Sequence, residues 1–100
     1  MIRHVVFFSA SRPENVASIK DGLSRLSAIP HHEKFEVSFN RKTDPFSDAV
    51  DVVVYGEFAD DAALAAYRAH PIYKETIRIV KPLRELRLSA DFVATQNNTL

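Results

Sequence analysis

The residues with the greatest capacity for acid–base chemistry lie in the segment 66–73. Tyr67 and His70 are three positions apart, so a helix would place them on one side about one turn apart. Pro71 follows and interrupts a helix, and Tyr73 comes just after it. Phenols and an imidazole can donate and accept protons, which predicts a ligand contact or a catalytic role for this group. The alternative is structural: the Tyr67 ring packs in the core, and His70 caps the carbonyls that end the helix.

A second acid–base pair is predicted from the two ends of the chain. His4 lies in an apolar segment typical of a strand, and Asp91 lies near the end of the last predicted strand. If these strands are antiparallel neighbours, Asp91 faces His4, and Arg87 lies further along the same face. The carboxylate can orient the histidine as a base, or it can simply satisfy a buried polar group.

No metal or cofactor site is expected. His31 and His32 are adjacent, only Glu33 is near them as a third ligand, and the chain has no cysteine. Two glycines cannot supply a glycine-rich phosphate loop.

Four strands and two helical regions must position these residues. Segments rich in Val and Phe predict the strands, and apolar residues spaced by three and four predict the helices. The predicted strands are 2–9, 35–39, 51–58 and 85–93, and the helical regions lie between Pro13 and Ile29 and over 62–70, with a kinked or restarted continuation over 72–80. This β-α-β-β-α-β order predicts an α+β, ferredoxin-like sandwich with both helical regions on one face of an antiparallel four-stranded sheet.

Both faces of that sheet are predicted to be apolar. Side chains alternate along a strand, so Val5 and Phe7 point away from His4 and Val6, and the other strands alternate in the same way. Two helices cover one face only, and a bare apolar face of this size is unusual for a monomer. We therefore expect a homodimer formed sheet against sheet. The predicted interface residues are Val5, Phe7, Val53, Tyr55 and Leu88.

Composition narrows the function classes. One hundred residues predict one domain, and a 46% hydrophobic fraction is typical of an ordered protein. A net charge of zero argues against nucleic-acid and membrane partners. The first eight residues predict a strand rather than a signal peptide, and the lack of cysteine fits a reducing compartment. A cytoplasmic protein is expected.

Short motifs along the whole chain resemble those of one known family. They are the opening strand 1–8, Ala28-Ile29-Pro30, the segments 53–60 and 66–71, Pro82-Leu83, Arg87 and Asp91-Phe92. In order and spacing they resemble the stress-responsive α/β-barrel (Dabb) family over residues 1–94, which leaves 95–100 as a polar C-terminal tail. The resemblance implies a ferredoxin-like subunit that pairs into a dimeric α/β barrel. Most members of this family have no assigned activity.

The resemblance also implies a pocket between sheet and helices. A plant polyketide cyclase of this family, olivetolic acid cyclase, uses a tyrosine and a histidine on the segment that matches 66–73. Its tyrosine falls on Tyr67, two further histidines fall on His4 and His70, and its catalytic histidine falls on Tyr73. A phenol is a weaker base than an imidazole near neutral pH, so the same mechanism is not expected here. The candidate catalytic residues are His4, Tyr67, His70 and Tyr73, and the candidate pocket residues are His4, Val6, Val54, Tyr67, His70, Tyr73, Arg87 and Asp91.

Several function classes remain open. The first is a protein that binds a small apolar or aromatic molecule, or a lyase or cyclase that acts on one. The second is a non-catalytic dimer that stabilises or binds other proteins in stress response. A third is a cofactor-free monooxygenase with the same fold. An enclosed pocket reached by polar groups favours the first class, and a filled apolar core favours the second.

Overall fold

The computed structural model describes residues 1–95, and its elements follow the predicted order. Apart from Thr95, the predicted tail therefore lies outside the described residues. The strands are β1 (Ile2–Ala10), β2 (Lys34–Phe39), β3 (Val52–Phe58) and β4 (Arg84–Val93). The helices are α1 (Val16–Ser24), α2 (Asp61–Ala69) and α3 (Pro71–Val80), and short 3-10 turns at Pro13–Asn15 and Arg25–Ala28 flank α1.

The strands form one antiparallel sheet in the order β2-β3-β1-β4. The two central strands, β1 and β3, come from the two halves of the chain. In each half, helices connect the central strand to an outer strand: α1 connects β1 to β2, and α2 and α3 connect β3 to β4. The predicted ferredoxin-like α+β fold is confirmed.

The second helical region is two helices rather than one bent helix. Asp60 begins α2 by accepting a hydrogen bond from the Ala63 N–H at 2.9 Å. His70 is extended, with φ −68° and ψ 141°, because a residue that precedes a proline is disfavoured in the helical conformation. Pro71 then starts α3, where its missing N–H costs nothing.

The helices cover one face of the sheet, which we call the inner face. Its buried side chains include Val6 and Phe8 of β1 and Val52, Val54 and Phe58 of β3. They pack against a second group from the helices and their ends, namely Ile19, Leu23, Leu26, Ile29, Leu64, Tyr67 and Val80.

Helices α1 and α3 approach closely at Gly22. A Cβ atom at this position would lie 3.0 Å from the Val80 Cγ2 atom. The glycine therefore lets Val80 reach the core, which fixes where α3 lies over the sheet.

Candidate functional site

A cavity of about 110 Å³ lies between the inner face and the helices. Its floor is apolar and comes from β1, β3, α1 and the turn that follows α1. Its wall is the side of α3 that faces the sheet, and its far edge is β4. The lining residues are His4, Val6, Phe8, Leu23, Leu26, Val54, Tyr67, Tyr73, Thr76, Ile77, Val80, Lys81, Arg84 and Arg87.

His4 is held in this cavity by Asp91. The two residues are direct partners in the antiparallel pairing of β1 with β4, and Nδ1 of His4 bonds Oδ1 of Asp91, as the sequence predicted. A carboxylate can only accept, so Nδ1 carries the proton and donates it. The other carboxylate oxygen accepts a hydrogen bond of 2.8 Å from Arg68 on α2. Asp91 thus connects β1, β4 and α2, and no pattern in the sequence indicated the contact with Arg68.

These contacts favour a neutral His4. Its side chain is 1% exposed, and this burial lowers its pKa below the ordinary value of 6.5, although the hydrogen bond and the charge of Asp91 oppose the shift. The cations Arg68 and Arg87 lower the pKa further. Burial alone would raise the pKa of Asp91, but the hydrogen bonds from His4 and Arg68 outweigh it and keep the carboxyl ionised.

The second ring nitrogen of His4, Nε2, is free to act on a ligand. With the proton on Nδ1, Nε2 has a lone pair and accepts hydrogen bonds. No residue among 1–95 makes a hydrogen bond to it. The arrangement is that of a base oriented by a carboxylate.

Tyr67 closes one end of the cavity. Its ring is 5.0 Å from the Phe58 ring, 5.2 Å from the Tyr73 ring and 6.1 Å from the His4 ring, measured between centroids. Burial raises the pKa of its phenol, so the group stays protonated and can donate a hydrogen bond. Tyr67 is therefore a core residue and a cavity residue at once.

Tyr73 lies on α3 beside a cation. Arg87 of β4 donates a hydrogen bond of 3.5 Å to its phenol oxygen, and both residues line the cavity. Of the three residues predicted around Pro71, the structure therefore brings Tyr67 and Tyr73 together on the cavity lining.

His70 lies away from the cavity lining. Its Nδ1 accepts a hydrogen bond of 3.1 Å from the Ile72 N–H, so its ring caps the start of α3. The expected capping of the carbonyls that end α2 is wrong, because a ring on an extended residue before Pro71 reaches the free amides of the next turn. Asp91 likewise acts through His4 and is not itself a lining residue.

Three polar or charged lining residues, and several apolar ones, escaped the sequence interpretation. Thr76 is 1% exposed, and its Oγ1 has no hydrogen-bond partner. Lys81 and Arg84 lie at the rim of the cavity, one just after α3 and the other at the start of β4. Thr76 lies three residues after Tyr73, at the helical spacing that would have placed it on the same face.

The opposite face of the sheet, the outer face, carries every predicted interface residue. Val5, Phe7, Val53 and Tyr55 are half-buried by their neighbours, and Leu88 is 55% exposed. Phe7 lies between Val53 and Leu88 in the pairing of the strands, so these side chains form a continuous apolar row. Further along β3, the Tyr55 hydroxyl donates a 2.7 Å hydrogen bond to Glu57, and Glu36 and Lys34 of β2 pair with these two residues in the sheet.

Residues 1–95 hold neither a metal-binding cluster nor a membrane-spanning helix. Within this range, no three His, Asp or Glu side chains are grouped closely enough to hold a metal ion. No helix in the same range is long and apolar enough to cross a membrane.

Comparison with known proteins places the fold and the family. No curated protein matches the sequence significantly. Among solved structures, a Dabb family protein with a ferredoxin-like fold from Mesorhizobium loti is 30% identical, with a TM-score of 0.78 over 95% of this chain and 97% of that chain. A dimeric ferredoxin-like protein of unknown function from Jannaschia is 20% identical, with a TM-score of 0.82 over 93% and 98%.

An antibiotic biosynthesis monooxygenase is 15% identical, with a TM-score of 0.77 over 96% of this chain and 100% of that chain. At this identity the likeness concerns the fold alone. The family model of the stress responsive A/B barrel domain matches residues 2–94. Because that match spans nearly the whole chain, the protein belongs to the stress responsive A/B barrel domain (Dabb) family.

Proposed function

We propose that this protein is a homodimer in which each subunit binds a small apolar or aromatic molecule in the inner cavity, with His4 as the proton acceptor. The observation that carries the proposal is the position of His4, hydrogen-bonded to Asp91 on the lining of a largely apolar cavity. A filled core would have favoured a non-catalytic dimer instead.

The size and lining of the cavity support a small ligand. An engineered apolar cavity of roughly 150 Å³ is enough to hold benzene. A space of about 110 Å³ that opens toward a rim accepts a ring of similar size whose substituents extend outward. Val6, Val54 and Leu23 supply its apolar contacts.

His4 and Tyr67 supply complementary hydrogen bonding. The free Nε2 of His4 accepts a hydrogen bond from a ligand O–H, or takes the proton of an acidic C–H while the electron pair stays on the ligand. The protonated phenol of Tyr67 donates to a ligand oxygen. Lyase or cyclase chemistry that begins with proton removal is compatible with this pair.

Polyketide-cyclase turnover is expected to be inefficient in the wild-type protein. Tyr73 stands where the cyclase that the sequence resembles has its catalytic histidine, and its phenol accepts a hydrogen bond from Arg87. A Tyr73→His variant should gain turnover of linear tetraketide-type thioesters if the cavity is otherwise suited to them. Wild-type turnover as fast as that of a true cyclase would contradict this assignment of Tyr73.

The outer face supports the homodimer. Leu88 and Phe92 are about half exposed on β4, which leaves an apolar strand at the edge of the sheet uncovered in a single subunit. A second copy, sheet against sheet, covers this face without adding any element. The Jannaschia relative is described as dimeric.

The lack of cysteine supports a cytoplasmic location, and the zero net charge supports the absence of nucleic-acid and membrane partners.

The test combines ligand identification with a matched pair of variants. Native mass spectrometry and a thermal-shift screen of small aromatic and apolar molecules should find compounds that bind the wild type with one site per subunit. Thr76→Ile fills the cavity with extra carbon and should abolish binding, whereas Thr43→Ile in an exposed loop should not. Equal affinity of both variants for every compound found would overturn the cavity assignment.

His4→Gln tests the role of the base separately. The amide N–H of the glutamine can still donate a hydrogen bond to Asp91. Its oxygen cannot then take the position of Nε2 and accept a hydrogen bond from the ligand. Ligands with a hydroxyl group should lose affinity, and ligands without one should keep it. If both kinds of ligand are unaffected in a folded variant, His4 has only a structural role.

A further inference from the structure

We infer that the cavity selects small monoanions, with the apolar part of the ligand inside and its anionic group held at the rim by Lys81, Arg84 and Arg87. We call these three residues the cationic rim. The inference rests on the proposed function, because it names the class of ligand for the same cavity.

The cationic rim is a local excess of positive charge. The chain as a whole has zero net charge, with equal numbers of acidic and basic residues. Yet three of the lining residues are cations, and none is an aspartate or a glutamate. An apolar neutral ligand would leave this charge without any counterpart.

The three cations have no ionic partner among residues 1–95; most cations of the protein share this, but these three also line a cavity. Arg68 pairs with Asp91, Lys42 with Asp51, and Arg78 with Glu75. By contrast, Arg84 bonds only the Glu85 carbonyl, at 3.4 Å, and Arg87 only the Tyr73 hydroxyl, at 3.5 Å. These contacts are long and neutral, so most of the guanidinium donors of both residues are left for another group.

Two of the three cations are also partly removed from water. Arg84 and Arg87 are half-buried against the cavity, where charges are less screened by water than on an open surface. Two guanidinium groups suit a carboxylate well, because each presents a planar pair of N–H donors. Lys81, exposed just after α3, adds a mobile positive charge at the same opening.

Thr76 provides an independent indication that a polar ligand enters. A threonine in a helix commonly bonds the carbonyl one turn back, as Ser24 does with Lys20 at 2.7 Å. Thr76 makes no such bond, although its Oγ1 is buried and it lines the cavity. An unpaired buried hydroxyl is costly, and a ligand oxygen would satisfy it.

The test compares a carboxylate with its neutral amide. Phenylpropanoate and phenylpropanamide have the same ring and chain, and calorimetry on the wild-type protein measures both. The carboxylate should bind about tenfold more tightly or better, because a hydrogen bond to a charged group is worth more than one to a neutral group. Added NaCl should weaken the binding of the carboxylate and leave the binding of the amide unchanged.

Variants then locate the charge. Arg84→Gln with Arg87→Gln should remove the preference for the carboxylate. The matched control, Lys74→Gln with Arg78→Gln, removes two charges from α3 outside the cavity lining and should keep it. The comparison on the wild type does not depend on the folding of either variant.

The outcomes separate the two proposals. Equal binding of carboxylate and amide, with the Thr76 and Val54 methyl resonances perturbed by both, would overturn the selection of anions and leave the cavity as a binding site. Failure of both compounds, and of toluene as a ring probe without a polar group, to bind would overturn both proposals. A carboxylate preference that survives loss of Arg84 and Arg87 would overturn the cationic rim.

Discussion

Val54 and Val53 are neighbours on the central strand β3, but they face different surroundings. Val54 lies on the inner face, is 2% exposed and lines the cavity. Val53 lies on the outer face between Phe7 and Ser38 and is only half-buried. The inner face therefore gains its stability within one subunit, and the outer face gains most of its stability only when another surface covers it.

The two faces also differ in their polar atoms. On the outer face, the Tyr55 hydroxyl is already satisfied by Glu57. On the inner face, the Thr76 hydroxyl is unpaired and Nε2 of His4 has no partner among residues 1–95. Nε of Arg3 on the outer face is also buried and unpaired, so the inner face is distinguished by the cavity that its unpaired polar atoms line.

The largest expected effect is that of a charge on the inner face. Val54→Asp places an unpaired carboxylate among buried apolar side chains, which should cost about 3–5 kcal/mol and unfold the protein. Circular dichroism and urea titration measure the loss. Wild-type stability of this variant would mean that the inner face is not the core.

The same charge on the outer face should separate subunits instead. Val53→Asp leaves the monomer folded, since Val53 is only half-buried in one subunit, but it disrupts the contact between sheets. Light scattering should fall from twice the monomer mass to the monomer mass of 11.3 kDa. Ala65→Asp on the exposed side of α2 is the control and should remain dimeric. A wild type that is already monomeric at micromolar concentration would refute the role of the outer face.

The acid–base group of the inner face predicts a pH dependence. His4 faces Asp91, Arg68, Arg87 and Tyr67, and its pKa is lowered from 6.5 by burial in the folded state. Below pH 6.5 the unfolded chain therefore binds a proton that the folded protein does not, and stability falls as the pH falls toward the lowered value.

Urea titrations at several pH values measure this effect. The contribution of His4 to the slope should approach, at most, about 1.4 kcal/mol per pH unit. His4→Gln should remove it, and His31→Gln, at an exposed position, should not. Identical slopes for the wild type and His4→Gln would show that His4 is not kept neutral.

The smallest effect is expected at His70, which the structure separates from the cavity. His70→Ala removes the cap of α3 and should cost about 1 kcal/mol, without changing the affinity for any ligand of the cavity. His70→Asn should restore most of the stability, because asparagine is a good capping residue. A loss of ligand affinity in His70→Ala at full stability would return His70 to the site.

The sequence predicted the fold well because strands and helices have different periods. The alternation in β1 and β3 assigned each side chain to its face, and the same rule paired His4 with Asp91 once the strand order was known. The sequence predicted the cavity less well than the fold. Arg68 reaches Asp91 across 23 positions, and the rim combines the end of α3 with β4, so no local pattern reveals either contact.

The sequence interpretation wrongly included His70 in the site and missed Thr76, and both errors have the same cause. A histidine three residues from a tyrosine suggested a shared site, but the proline that follows turns its ring to the next helix. A threonine within an apolar stripe suggested nothing, although its hydroxyl is buried, unpaired and on the lining of the cavity. Hydrogen-bond partners decide both cases, and a sequence does not contain them.

We propose one role for each face: the inner face binds a ligand and the outer face binds a second subunit. Methyl-detected NMR tests both parts in one sample, because each face carries methyl groups that report on it. Titration with phenylpropanoate should shift the methyl resonances of Val6, Val54 and Thr76 and leave those of Val53 and Leu88 unchanged, whereas dilution should do the reverse. Ligand-induced shifts confined to Val53 and Leu88 would contradict the account.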